Sequence, residues 1–177
     1  MSFTKDIENE EFLLEKNIIN KNIIFIEEPL NKFKNIALET LKPGQDKLNF
    51  GKIIIPYGVF VEQHELEVAK ILNKIGKDIE FIIPNRVQFS KTPDIKMDGM
   101  LWEIKSPKGN SSRTIETNLR CASKQAKNII IDLRRTKIEE TKAISQIIRE
   151  FKLRNVIKNI IIIRKNSEIQ KILDIKR

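Results

Sequence analysis

The chain has 177 residues, 40% of them hydrophobic, with a formal net charge of +9. That length fits one domain with an ordinary core. A single cysteine, Cys121, and a single histidine, His64, exclude an internal disulfide and argue against a Cys/His zinc site.

The charge is unevenly placed. Residues 1–30 hold seven acids and three lysines, a balance of −4 that leaves +13 for the remainder. A basic body behind an acidic leader fits a polyanionic partner, most simply nucleic acid. Lysine also solvates ordinary surfaces, so charge alone leaves both readings open. The longest apolar runs are four residues ("IIII", 160–163), too short for a membrane-spanning segment. The opening "MSFTKDIENEEF" is acidic and lacks the form of a signal peptide, so the expectation is work in a reducing cytoplasm, or entry into one by means the chain does not itself encode.

Residues 1–50 form an N-terminal segment of unclear role, and 51–177 read as the domain proper. Within the leader, 22–28 can form a strand and 30–42 a short amphipathic helix, before Pro43 and Gly44 break the pattern. After "KIIIPYGVF" (52–60), a helix is expected over 61–76, ended by Gly76. Its apolar stripe is Val61, Val68, Ile71, Leu72 and Ile75, with His64 and Glu65 inside the stripe and Glu62 and Glu67 further round. A buried strand over 78–84 and a hairpin over 92–106 follow. A helix over 111–127, capped by Ser111 or Ser112, leads to a strand over 128–133. A helix over 138–154 and a strand over 159–164 complete the pattern. Continuous apolar strands alternating with helices indicate an α/β sheet covered on both faces.

The hairpin "TPDIKMDGMLWEIKSPKG" (92–109) carries the chemistry. Asp98-Gly99 is a strong two-residue turn. It pairs Met97 with Met100, Ile95 with Trp102, and Asp94 with Glu103. Pro93, Ile95, Met97, Met100, Trp102 and Ile104 then share one face, and Asp94, Lys96, Leu101, Glu103 and Lys105 share the other. Directly opposed, the Asp94 and Glu103 β-carbons would lie roughly 5 Å apart. Two carboxylates so placed can hold a hard divalent cation, with Lys105 orienting water or holding developing charge. A solvated hairpin face is the plainer alternative. Glu65 favours the site: a core-facing carboxylate is costly unless paired or metal-bound, and this one lies near a helix N-terminus. His64 alone on an apolar face reads more readily as a core residue. After the hairpin, the basic loop "SPKGNSSR" (106–113), with Lys108 and a flexible Gly109, enters a helix N-terminus suited to a phosphate. That helix buries Ile115, Leu119, Ala122 and Ala126, while Arg113, Arg120, Lys124 and Lys127 line another side as a phosphate-binding stripe.

A core-facing Glu, then "PD", then "EIK" and a second basic helix resembles the PD-(D/E)xK nuclease superfamily. More closely, "HELEVAKIL", "TPDIKMDGMLWEIKSPKG" and "RTIETNLRCASKQAKNIIIDLRR" resemble the C-terminal tRNA-nuclease toxin domains of CdiA-type contact-dependent inhibition effectors, over about residues 50–165. Related domains occur attached to phage-like minor capsid proteins. The resemblance implies a PD-(D/E)xK nuclease-like mixed sheet flanked by helices. It makes Asp94, Glu103 and Glu65 ligands of a divalent metal such as Mg²⁺, and Lys105 the catalytic lysine. It adds Thr114, Lys124 and Gln125 as secondary site residues, and Glu62 as an alternative to Glu65. It also implies an acidic immunity protein and action in a bacterial cytoplasm after delivery by a larger secreted or phage-like carrier.

The expected function is therefore a metal-dependent endonuclease, a tRNA-cleaving toxin domain. A DNA endonuclease of the same fold is the nearest rival, since metal-assisted hydrolysis does not use the 2′-OH. A non-catalytic nucleic-acid- or capsid-binding module is weaker, because aromatics are only 6% and no stacking platform is evident. A metal-free ribonuclease would use His64 as general base.

Overall fold

The computed structural model describes residues 50–85 and 92–173, together with the backbone of 23–26. Among these, eight strands form one mixed sheet whose spatial order follows chain order. They are β1 (Ile23–Ile26), β2 (Ile53–Pro56), β3 (Ile79–Phe81), β4 (Ile95–Met97), β5 (Met100–Lys105), β6 (Asn128–Asp132), β7 (Asn159–Ile163) and β8 (Ile169–Leu173). Three helices, α1 (Gln63–Lys74), α2 (Thr114–Ala122) and α3 (Glu140–Leu153), link β2 to β3, β5 to β6 and β6 to β7. β1, β2 and β3 run parallel, as do β5, β6 and β7. The β3–β4, β4–β5 and β7–β8 pairs are antiparallel. The expected α/β sheet covered on both faces is the observed architecture.

Side-chain alternation along the strands explains the two layers. Ile130, Ile161 and Ile163 turn toward α1, where they meet Val68, Ala69, Leu72, Trp102 and Ile104 in one core. Ile129, Ile131, Ile160 and Ile162 turn the other way, against Ile115 and Leu119 of α2 and Ala143, Ile147 and Phe151 of α3. Ile129–Ile131 of β6 and Ile160–Ile163 of β7 are therefore continuous apolar runs, as expected of strands buried on both faces. No helix among the described residues is long and apolar enough to cross a membrane.

Several boundaries differ from expectation. α1 is ended by Gly76 at φ +83, but Ile75 drops out of the apolar stripe and is exposed, because it already lies past the last helical turn. α2 is shorter than 111–127: Arg113 stands at its N-cap, and neither Ser111 nor Ser112 caps it. Ser111 instead closes a local turn, its Oγ accepting from the Arg113 amide at 3.3 Å and its carbonyl from the Thr114 amide at 3.0 Å. At the other end, Lys124 and Gln125 lie in a tight turn whose amides reach Cys121 and Ala122. α3 is capped by Glu139, which accepts from the Thr141 and Lys142 amides. β3 stops at Phe81 rather than 84. The sheet also draws in Ile23–Ile26 from the leader, paired in register with Ile53–Pro56. The helix expected over 30–42 lies outside the described residues. β8 was not expected: Gln170 and Lys171 are adjacent, so IQKIL shows no alternation, and its turn uses Ser167 at φ +68 without an Asn-Gly or Asp-Gly signal.

Candidate active site

The hairpin register is as expected, with Met97 opposite Met100, Lys96 opposite Leu101 and Ile95 opposite Trp102. The turn has Asp98 at φ +51 and Gly99 at φ +75, both in the left-handed region that a type I′ turn requires. Lys77 anchors the tip through a 2.7 Å ion pair with Asp98. The indole of Trp102 donates to the Met97 carbonyl.

The ladder ends at Ile95, so Asp94 and Glu103 are not the directly opposed strand pair that the register implies. Asp94 sits in a bend and is fixed by three backbone contacts. Its amide donates to the Trp102 carbonyl at 3.1 Å, and its carbonyl accepts from the Ile82 amide at 3.0 Å. Its Oδ2 accepts from the Ile104 amide at 2.7 Å. The carboxylate thus replaces a missing ladder partner and is held beside β5.

Glu103 lies on the face expected to be outermost, yet it is only 1% exposed. Lys96 and Leu101, toward the hairpin tip, are exposed as expected; at Glu103, α2 and the turn after it close over the sheet. Glu103 Oε1 accepts from Lys105 Nζ and from Gln125 Nε2. Its Oε2 is buried and meets no donor. Burial, and then the charge of Asp94, push the Glu103 carboxyl up to about 7 despite the opposing pull of Lys105. Burial also raises Asp94, against the Ile104 amide, Lys105, the contact with Glu103 and His64. The two carboxyls cannot both ionise comfortably, and a proton on Glu103 directed at Asp94 relieves the pair.

Glu65 stands at the first turn of α1, and its Oε2 accepts from the Glu62 amide at 3.1 Å. Burial raises its carboxyl, partly offset by that amide, with the charge of Asp94 adding to the rise. Glu65 and Asp94 line one cleft of about 320 Å³ with Val59, Phe60, Ile82 and Pro93. Glu62 is exposed and lies 3.1 Å from His64 Nδ1, so these two secondary candidates engage each other. Among the described residues, no three Asp, Glu, His or Cys side chains converge closely enough to enclose an ion. Glu65 therefore shares the cleft but does not complete a ready-made three-carboxylate cage.

The basic candidates divide. Lys108, Arg113, Arg120, Lys124 and Lys127 are exposed. Gln125 reaches Glu103 directly, whereas Thr114 shapes the loop: a β-carbon added at Gly109 would lie 2.7 Å from its Oγ1. Gly109 is required by that close approach, not by flexibility, and its carbonyl is further held by Thr136 Oγ1 at 3.0 Å.

A support for Lys105 lies just beyond it. Ser106 Oγ donates to Asp132 Oδ2 at 2.9 Å, and Arg134 grips both Asp132 oxygens at 2.9 Å each. Asp132 is 0% exposed, and Arg134 Nη2 also lies 3.7 Å from Glu67 of α1. Sequence reading passed over this network, although a carboxylate closing the all-apolar run "NIIID" was a signal. It also passed over Phe60, whose place between two valines in "GVFVE" marks the outward position of an alternating segment.

Comparison with curated proteins gives no match. Among solved structures, a chain described as a CdiA-CT/CdiI toxin and immunity complex from Burkholderia pseudomallei is similar at TM-score 0.47 and 17% sequence identity, over 84% of this chain and 98% of that one. Residues 91–169, the stretch that carries Asp94, Glu103, Lys105 and Gln125, match the family of contact-dependent growth inhibition CdiA C-terminal domains.

Proposed function

We propose that this chain is a metal-dependent endonuclease of PD-(D/E)xK type, acting as a toxin domain that cleaves tRNA. The observation that carries the reading is the buried, donor-less Oε2 of Glu103 beside Asp94. An all-oxygen pair of acids, raised chiefly by burial, suits a hard divalent cation such as Mg²⁺, whose remaining ligands come from water and substrate. Bound there, the cation would supply Lewis-acid polarisation of a phosphoryl oxygen and acidify a water.

The chain's own residues divide the remaining work. Asp94 and Glu65 form the negative wall of the cleft, with Glu103 buried beside Asp94, and Asp94 is kept in place by the Ile104 amide. Lys105, half-buried, balances Glu103 and places an ammonium where charge develops on a phosphodiester. Gln125 keeps Glu103 Oε1 in position, while Oε2 has no donor. Glu65, raised by burial, can hold or accept a proton at the cleft wall. Lys108, Arg113, Arg120, Lys124 and Lys127 offer cations for the phosphate backbone. The match over 91–169 to growth-inhibition domains supports a toxic role, delivery by a larger carrier, and a neutralising partner whose acidic surface would complement the basic body.

The test is incubation of wild type and Asp94→Ala with total tRNA and, separately, supercoiled plasmid, in Mg²⁺ or EDTA. Discrete tRNA fragments that vanish in EDTA and in the variant support the proposal. Nicked plasmid with intact tRNA replaces the substrate with DNA, and cleavage that survives EDTA moves the chemistry to His64. Intact tRNA and plasmid with wild type in Mg²⁺ overturn the nuclease reading.

A further inference from the structure

The connection between β2 and α1 leaves two aromatic side chains in water. Tyr57 is 71% exposed and Phe60 88% exposed. Leaving a phenyl ring in water forgoes the gain of burying it. Its position is imposed by the neighbours. The chain turns at Gly58, φ +77, with the Val59 amide donating to the Pro56 carbonyl at 3.2 Å. Val59 and Val61 both pack onto the α1-side core. In an extended segment the residue between two inward side chains points outward, so Phe60 is presented rather than left over. It is also a wall of the cleft that holds Glu65 and Asp94.

We infer that Phe60, with Tyr57 beside it in the chain, is a stacking platform for an unpaired nucleobase next to the phosphate that is cut. This deepens the nuclease reading and rests on it for the identity of the cleft. The occupant follows from juxtaposition: the Phe60 ring walls the same cleft as Glu65 and Asp94, so a ligand spanning the ring and a phosphate held at Asp94 needs an aromatic base joined to a phosphodiester. Bases paired inside a duplex have their faces covered, while loop nucleotides can be splayed onto an aromatic ring. The substrate class is thus a nucleic acid with unpaired bases, which under the proposed function is a tRNA loop, and Phe60 is a specificity-determining residue that takes no part in bond breaking.

The experiment uses the full chain as wild type, Phe60→Ala and Phe60→Trp, with melting temperature as a folding control. Two RNA probes are used, a hairpin with an unpaired loop and a blunt duplex of the same length, each carrying 2-aminopurine. In EDTA, wild type and Phe60→Trp should quench loop 2-aminopurine, and Phe60→Ala should not. In Mg²⁺, kcat/KM on the hairpin should fall about 10-fold in Phe60→Ala, within the ~5- to 150-fold range of one lost base stack. Phe60→Trp should retain the hairpin rate, and the duplex rate should not respond to position 60. Equal quenching and equal hairpin cleavage by wild type and Phe60→Ala overturn the platform while the nuclease reading stands, and assign the aromatic surface to a protein partner. Quenching that depends on position 60 without cleavage by wild type supports the platform and counts against the nuclease reading. No quenching by wild type overturns the platform whatever the cleavage result.

Discussion

Asp94 and Ile104 are joined side chain to backbone, Oδ2 of the one accepting the amide of the other at 2.7 Å. That bond ties the bend before β4 to the residue between Glu103 and Lys105. It brings the first acid to the second at the price of crowding two buried carboxylates. The crowding has measurable consequences.

Glu103→Gln should stabilise the metal-free protein at pH 8 while lowering Mg²⁺-dependent cleavage by at least ~100-fold. Glutamine keeps an oxygen for Lys105 and Gln125 and turns an amide toward Asp94, so a repulsive pair becomes a hydrogen bond. The gain should be about 2 kcal/mol, or roughly 5 °C in melting temperature. Thermal melts in EDTA at pH 8 read it, and a variant less stable than wild type would contradict the crowding.

The same pair sets a pH dependence. An acid whose folded pKa is raised holds its proton more tightly folded than unfolded, so stability is greatest below the unfolded value and falls as pH rises. With Glu103 pushed up from 4.5 to about 7, the loss should run across that window and level off above it. Asp94, also raised, adds in the same direction. Denaturation in EDTA at pH 5 and pH 8 should therefore show wild type more stable at pH 5. The advantage of Glu103→Gln should be small at pH 5 and full at pH 8.

Arg134→Met should destabilise the fold by about 3 kcal/mol, because Asp132 would remain a fully buried charge without its two-point partner. Adding Asp132→Asn should recover part of the loss by removing that charge. Urea unfolding of the single and double variants gives the comparison. A loss below about 1 kcal/mol in Arg134→Met would mean that the network does not hold the end of β5.

Two glycines should respond differently to alanine. A β-carbon at Gly51 would lie 2.0 Å from the Lys77 carbonyl oxygen, a backbone atom that moves only with the α1–β3 connection. Gly58, at φ +77, has open space around it and only backbone strain to bear. Gly51→Ala should cost more than ~2 kcal/mol and Gly58→Ala about 1 kcal/mol, read by chemical denaturation.

Much of the fold was legible because its signals are local. Asp98-Gly99 set the hairpin register, and the apolar runs of β6 and β7 could only be strands covered on both faces. The acids of the hairpin stood out for the same reason, although the ladder stops at Ile95 and Asp94 reaches β5 through its side chain instead of as the strand partner of Glu103. The missing parts depend on tertiary closure. The cover over Glu103 comes from a turn after α2 that no pattern in residues 123–127 announces. The Asp132–Arg134–Ser106 network joins strand ends that are distant in sequence, and β8 is held by pairing with β7 more than by its own composition. Phe60 left a local signal in its place between two valines, but its exposure rests on Val59 and Val61 packing inward.

The most direct measurement of the central claim is Mn²⁺ titration followed by loss of the free-ion EPR signal, with wild type, Asp94→Asn and Glu103→Gln at pH 8. One ion bound per wild-type chain, lost in both variants while their melts stay cooperative, is the expected result. No binding by wild type, or binding undiminished in both variants, would contradict a cation held between Asp94 and Glu103.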